Sequence, residues 1–150
     1  KCSKYVGIDF NEKYIEKAIK KYPNDYFYLS DISTFGFDKS EKFSDIFLIG
    51  LLHHLNDDNS TKLINNLAKQ LDSNGKIVSI DPLYDYEKKD TYSRLANYFA
   101  SKDRGNFVRT ENEYKKLIDD KFLKVESRIY EKLLRMPWFD YVMYIHNMKN

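Results

Sequence analysis

Several acidic and histidine residues fall where side-chain chemistry would be expected. Asp9 closes the short apolar run Lys4-Tyr5-Val6-Gly7-Ile8, and the residues from Asn11 to Tyr22 carry helical periodicity. Strand, turn and helix are therefore predicted in that order, with Asp9 at the carboxyl edge of the strand. In open α/β sheets ligands bind at that edge, and one carboxylate there can accept from both hydroxyls of a ribose. A turn aspartate, or one capping the next helix, would look the same in sequence. Asp31 and Asp81 likewise stand just past apolar runs. His53 and His54 are adjacent and so point in different directions; no Cys, Asp or Glu spacing completes a ligand set, and no metal is expected. Either imidazole titrates near neutral pH and suits a general base. Asp103, Arg104 and Arg109 gather around one loop. They suit an anionic substrate or the closing of a site, and equally a salt-bridged loop anchoring the helix from Glu111.

The elements that would carry these residues alternate. After the first strand and its helix (stripe Tyr14, Ile15, Ala18, Ile19 and Tyr22, stopped by Pro23-Asn24), a second strand is predicted at Tyr26–Leu29. Asp45-Ile46-Phe47-Leu48-Ile49 is continuously apolar after its first residue, as in a parallel strand covered on both faces. A helix from about Ser60 to Leu71 follows, with Gly75 as its stop signal, then a strand at Lys76–Ile80. These are βαβ units with a parallel sheet. Thr91 to Ala100 reads as a helix. Thr110-Glu111-Asn112-Glu113 is a capping box opening another, which buries Tyr114, Leu117 and Ile118. Leu123–Glu126 and Trp138–Ile145 alternate partially and suit an antiparallel pair at the sheet edge.

At 150 residues, with 13 Tyr, 10 Phe and only 5 Gly and 3 Pro, the chain suits one domain, residues 1–150, with a real core. Its 25 basic and 23 acidic residues are interspersed and give a net charge of +2, which argues for neither nucleic acid nor an anionic membrane as partner. Cys2 is the only cysteine, so no disulfide framework is expected and a reducing cytoplasm fits. The apolar run Ile46–Leu52 is far short of the roughly 20 residues of a membrane helix. Nothing in the sequence addresses oligomeric state.

Val6-Gly7-Ile8-Asp9-Phe10, Asp31-Ile32, Leu51-Leu52-His53-His54-Leu55 and Gly75-Lys76-Ile77, in that order, resemble the class I S-adenosylmethionine-dependent methyltransferases. The resemblance covers most of the chain. Asp103-Arg104-Gly105, Val108-Arg109-Thr110 and Leu134-Arg135-Met136-Pro137-Trp138 further resemble a bacterial small-molecule subgroup. It implies an α/β, Rossmann-like fold with a mostly parallel sheet and an antiparallel C-terminal strand. It also implies S-adenosylmethionine as cofactor and methyl transfer to an O, N or C nucleophile of a small molecule. By the same resemblance Asp9 holds the ribose, Phe10 lies against adenine, and Asp31 accepts from the adenine amine while the Ile32 amide donates to the ring. Leu51 and Leu52 form an apolar wall, and His54 is the candidate base.

The sequence departs from that family in one respect. The family's first strand ends in a Gly-rich loop, and the five glycines here are scattered. The expectation is a longer chain whose upstream segment supplies that strand, its helix and the loop, so that activity of these 150 residues alone is in doubt; a shortened, inactive domain is the alternative. Two other functions compete. A nicotinamide dinucleotide oxidoreductase also places an acid after its second strand, though its own Gly-rich fingerprint is equally lacking. A non-catalytic module of methyltransferase fold would keep the shape for partner binding.

Overall fold

A computed structural model of the chain describes residues 4–38, 40–84, 91–102, 105–117, 123–131 and 140–148. It divides into two compact units, Lys1–Asp38 and Lys39–Asn150.

In the first unit, β1 (Val6–Asp9) and β2 (Tyr26–Leu29) run parallel, joined by α1 (Glu12–Lys21). The Asn11 side chain caps α1 by accepting from the Lys13 amide at 3.1 Å. Glu12 in its first turn and Lys20 and Lys21 in its last complement the helix dipole. The stripe expected on α1 is wider than the one it buries. Ile15 is buried, whereas Tyr14, Ile19 and Tyr22 are about half exposed or more. The reason is geometric: two four-residue strands about 5 Å apart are narrower than a helix with its side chains.

In the second unit a four-stranded sheet runs in the order β3-β4-β6-β5, with β3 Phe43–Ile49, β4 Leu71–Pro82, β5 Leu123–Glu131 and β6 Asp140–Met148. β3 and β4 are parallel, joined by α2 (Asp57–Ala68), and β6 is antiparallel to both β4 and β5. Thus β3, β4 and β5 share one direction and β6 alone is reversed, as the sequence predicted for a C-terminal strand. The core lies where α2 meets β4: Leu63, Ile64, Leu67 and Ala68 from the helix, and Leu71, Ile77 and Val78 from the strand, are buried.

Two local expectations are corrected. Only one face of β3 is covered, since Leu48 is buried while Phe47 and Ile49 are 58% and 68% exposed. Gly75 does not stop a helix. α2 ends at Ala68, and Gly75 lies inside β4, where the register jumps from Phe43↔Leu71 to Asp45↔Lys76. A Cβ there would come within 2.9 Å of the Phe43 carbonyl oxygen, so the bulged strand closes on a residue without a side chain.

Two further helices, α3 (Thr91–Ser101) and α4 (Glu111–Lys116), complete the unit. The capping box is present on α4: the Glu113 amide donates to Thr110 Oγ1 at 3.3 Å, and the Glu113 carboxylate accepts from the Thr110 amide at 2.8 Å. α4 buries Tyr114 and is closed by the buried Leu117; Ile118 lies outside the described residues. Thr110→Ala is expected to cost about 1 kcal/mol, read as a lowered urea midpoint with unchanged slope. The amide and hydroxyl of Thr110 hold the Glu113 carboxyl below its usual 4.5, so the cap's contribution is complete above that pH and fades as pH falls through the lowered value.

Candidate functional site

The first unit places Asp9 opposite Leu29 in the β1–β2 register, and Asp31 follows two residues later. The Ser30 amide donates to the Asp9 carbonyl at 3.0 Å, so both acids stand at the carboxyl ends of adjacent parallel strands, on one edge of the sheet. Asp9 Oδ1 accepts from the Asn11 amide at 2.7 Å, which fixes the carboxylate at the start of α1. Asp31 Oδ1 accepts from the Ser33 hydroxyl and amide at 2.7 and 2.8 Å. These bonds, the hydroxyl first, hold the Asp31 carboxyl below the ordinary carboxylate range. Ionised, it is an acceptor only. Phe10 is 79% exposed beside Asp9, and Ile32 is half-buried.

In the second unit the chain leaves β3 through Gly50, whose φ of +61° is a left-handed conformation natural to glycine, with its amide on the Ile80 carbonyl at 2.8 Å. A single 3-10 turn, Leu52–His54, follows. Leu51 is half-buried, and Leu52 lies in the core at 2% exposure. His54 is on the exposed side of the turn, its ring 4.0 Å from that of His53. His53 is buried. Its Nδ1 lies 2.8 Å from Asp81 Oδ1, and its amide donates to the same oxygen at 3.2 Å. Asp81, next to last in β4, is 1% exposed, and its Oδ2 is buried with no hydrogen-bond partner among the described residues. Burial pushes its carboxyl above the ordinary range, against the downward pull of the His53 ring and of the His53 and Leu52 amides.

Arg109 is buried, and all five of its guanidinium donors are committed. Nε and Nη2 bond Asp57 Oδ1 at 2.9 and 2.7 Å, Nη1 bonds the carbonyls of Leu52 and Phe107 at 2.9 Å each, and Nη2 bonds the Leu55 carbonyl at 2.7 Å. These bonds tie Arg109 to the turn after β3 and to the start of α2. Asp103 and Arg104 lie outside the described residues.

Sequence reasoning thus brought Asp9 and Asp31 to one edge of the first unit but assigned no partner to Asp81 or Asp57 in the second. Asp81 carried the same signal as the other two, an acid at a strand tip. Asp57, at the first turn of a helix, carried none that distinguishes it from an ordinary helix-start acid.

The family described as a methyltransferase domain matches residues 1–75. Among solved structures, the N-methyltransferase NodS from Bradyrhizobium japonicum WM9 is 16% identical, with 99% of this chain and 75% of that one covered at a TM-score of 0.72. An S-adenosylmethionine-dependent methyltransferase from Methanosarcina mazei is 15% identical, with 97% and 82% covered at 0.70. The plantazolicin methyltransferase BpumL, solved with a desmethylPZN analog and S-adenosylhomocysteine, is 14% identical, with 97% and 68% covered at 0.69. At such identities the likeness is one of fold. No curated protein matches. The solved structures share this chain's fold, and the family match spans half of its length, so the chain belongs to the methyltransferase-domain family.

Proposed function

We propose that the protein transfers a methyl group from S-adenosylmethionine to an O, N or C nucleophile of a small molecule in the cytoplasm, and that Asp9 and Asp31 hold the adenosine. The observation that carries this is their placement at neighbouring strand tips, each with one carboxylate oxygen turned to a local amide and the other without a partner among the described residues. Asp9 then accepts from the ribose hydroxyls and Asp31 from the adenine amine, with the Ile32 amide donating to the ring and Phe10 against its face. The sulfonium is already an activated electrophile, so the protein's work is to hold donor and acceptor in line and away from water. Arg109 serves here as an anchor of the turn after β3 rather than as a substrate contact. His54, next to His53 on the exposed side of the turn, is a candidate base for an acceptor that keeps its proton.

Adenosylhomocysteine should raise the melting temperature of the full-length protein, and NAD should not. Asp9→Asn should weaken adenosylhomocysteine binding by about 10- to 100-fold, the loss of charge-assisted bonds to a diol, in calorimetric titration. Stabilisation by NAD instead would turn the reading to a dehydrogenase. No response to either would leave a binding module of the same fold.

A further inference from the structure

We propose that Ser33 is a positioning residue of the nucleotide site. It binds one oxygen of the Asp31 carboxylate and so presents the other, as a fixed acceptor, to the exocyclic amine of a 6-aminopurine. The loop thereby selects an adenosyl ligand over its 6-oxo counterpart. This rests on the methyltransferase reading, in which Asp31 accepts from adenine, and deepens it by naming what sets the base preference.

Asp31 is exposed, and an exposed aspartate ordinarily samples several rotamers. Here both donors of Ser33 converge on Oδ1, the hydroxyl at 2.7 Å and the amide at 2.8 Å. Two bonds from one residue to one oxygen restrict the side-chain torsions, and Oδ2 is left without a partner among the described residues. The backbone under the carboxylate is held as well. The Asp31 carbonyl accepts from the Thr34 amide at 3.1 Å, the Thr34 hydroxyl at 3.2 Å and the Ser30 hydroxyl at 3.4 Å. Farther along, the Phe35 ring packs between those of Tyr28, on β2, and Phe37, at centroid distances of 5.1 and 4.8 Å. Turn and rings together tie this loop back to its strand.

The selectivity follows from which groups can donate and which can only accept. An ionised carboxylate only accepts, so Oδ2 bonds an amino group and meets a 6-oxo group as acceptor against acceptor. The Ser33 bonds hold the carboxyl below its usual range, and among the described residues no neighbouring charge adds to that lowering. The acid is ionised throughout the neutral range, so what Ser33 adds there is direction rather than charge. Binding then no longer has to order the carboxylate, a cost that a freely rotating acid would impose. A backbone amide, for its part, can only donate. Whatever atom takes the place of Oδ1 must therefore be an acceptor, which dictates how a carboxamide would lie there: oxygen toward Ser33, amino group outward.

The test is calorimetric titration of the full-length protein with adenosylhomocysteine and with inosylhomocysteine, its 6-oxo analogue. Wild type should prefer the adenosyl ligand by about 10-fold or more, the worth of one charge-assisted bond. Ser33→Ala keeps the amide bond and loses the hydroxyl. It should reduce that preference by about threefold or more, with the inosyl affinity within about twofold of wild type. Ser33→Thr retains the hydroxyl and should keep the wild-type preference. Asp9→Asn should weaken both ligands alike, because the ribose is common to them. Equal affinity of wild type for the two ligands, or a preference unmoved in Ser33→Ala, overturns the proposal. So does an equal loss of both ligands in that variant, the mark of a purely structural residue. If Ser33→Ala does not fold, Asp31→Asn decides: with its amide oxygen on Ser33 it should favour the inosyl ligand, and a retained adenosyl preference overturns the proposal. Failure of wild type to bind adenosylhomocysteine sinks the methyltransferase reading and the role of Ser33 with it, whereas binding without discrimination sinks only the latter.

Discussion

Replacing Arg109 with methionine is expected to lower the unfolding free energy by about 3–4 kcal/mol, a large share of a small domain's stability. The ion pair with Asp57 contributes little of this, because the Asp57 side chain is 78% exposed and water screens it. The loss lies in the three backbone carbonyls, of Leu52, Leu55 and Phe107, that the guanidinium satisfies at 2.7–2.9 Å. Leu52 and Leu55 bracket the 3-10 turn, and Phe107 belongs to the loop laid over it. One planar cation thus ties the turn after β3 to the loop before α4. Leu52 O keeps its bond from the Leu55 amide and Leu55 O a longer one from the Ser60 hydroxyl, which caps the expected cost. Methionine restores the stem packing between the Phe107 and Tyr114 rings, whose centroids lie 5.8 and 5.6 Å from the guanidinium carbon, but none of the donors. Lysine supplies three donors on a rotating head instead of five in a fixed fork and should recover less than half. The measurement is the urea midpoint at constant slope. A loss below about 1 kcal/mol for Arg109→Met would mean that the turn holds its shape without the clamp.

What the sequence disclosed and what it hid divide along the range of the interactions. The acids at strand tips, the α4 capping box and the reversed last strand were legible, because each is written within a few residues: an apolar run ending in a carboxylate, Thr110 three before Glu113, alternation over a terminal stretch. The width of the α1 stripe was misjudged because periodicity states which residues are apolar and not how much sheet is available to cover them. Gly75 was misassigned for a related reason: a glycine after a helical run signals a stop, but it can equally serve a bulge where two backbones come close. The pairs His53–Asp81 and Arg109–Asp57 join residues 28 and 52 positions apart. No local spacing announces such partners. They exist only once the chain has folded, when the turn after β3 meets the end of β4 and the loop before α4.

A methyl group added at Gly105 probes that same assembly and is expected to destabilise the protein by about 2–3 kcal/mol. A Cβ built there falls on His53 Cδ2 and lies 2.6 Å from the His53 carbonyl oxygen. Whether a crowded site relaxes depends on whether its neighbours can give way, and here each is held. The His53 carbonyl accepts from the Phe107 amide at 3.0 Å, the ring is tied to Asp81, and the loop's far side is fixed by Arg109 through the Phe107 carbonyl. Gly105→Ala must therefore either lift the loop, losing the Phe107–His53 bond, or turn the imidazole away from Asp81 and strand a buried carboxylate. Gly36→Ala is the control: nothing lies within 4 Å of a Cβ there, and the change should stay within about 0.5 kcal/mol. The two routes are told apart by the His53 imidazole spectrum. A lifted loop leaves the ring's nitrogen resonances as in wild type and lowers only the urea midpoint, whereas a turned ring also moves those resonances. A Gly105→Ala protein as stable as wild type would show that the loop and the His53–Asp81 pair are independent, and that the glycine is there for the chain's path rather than for the ring beneath it.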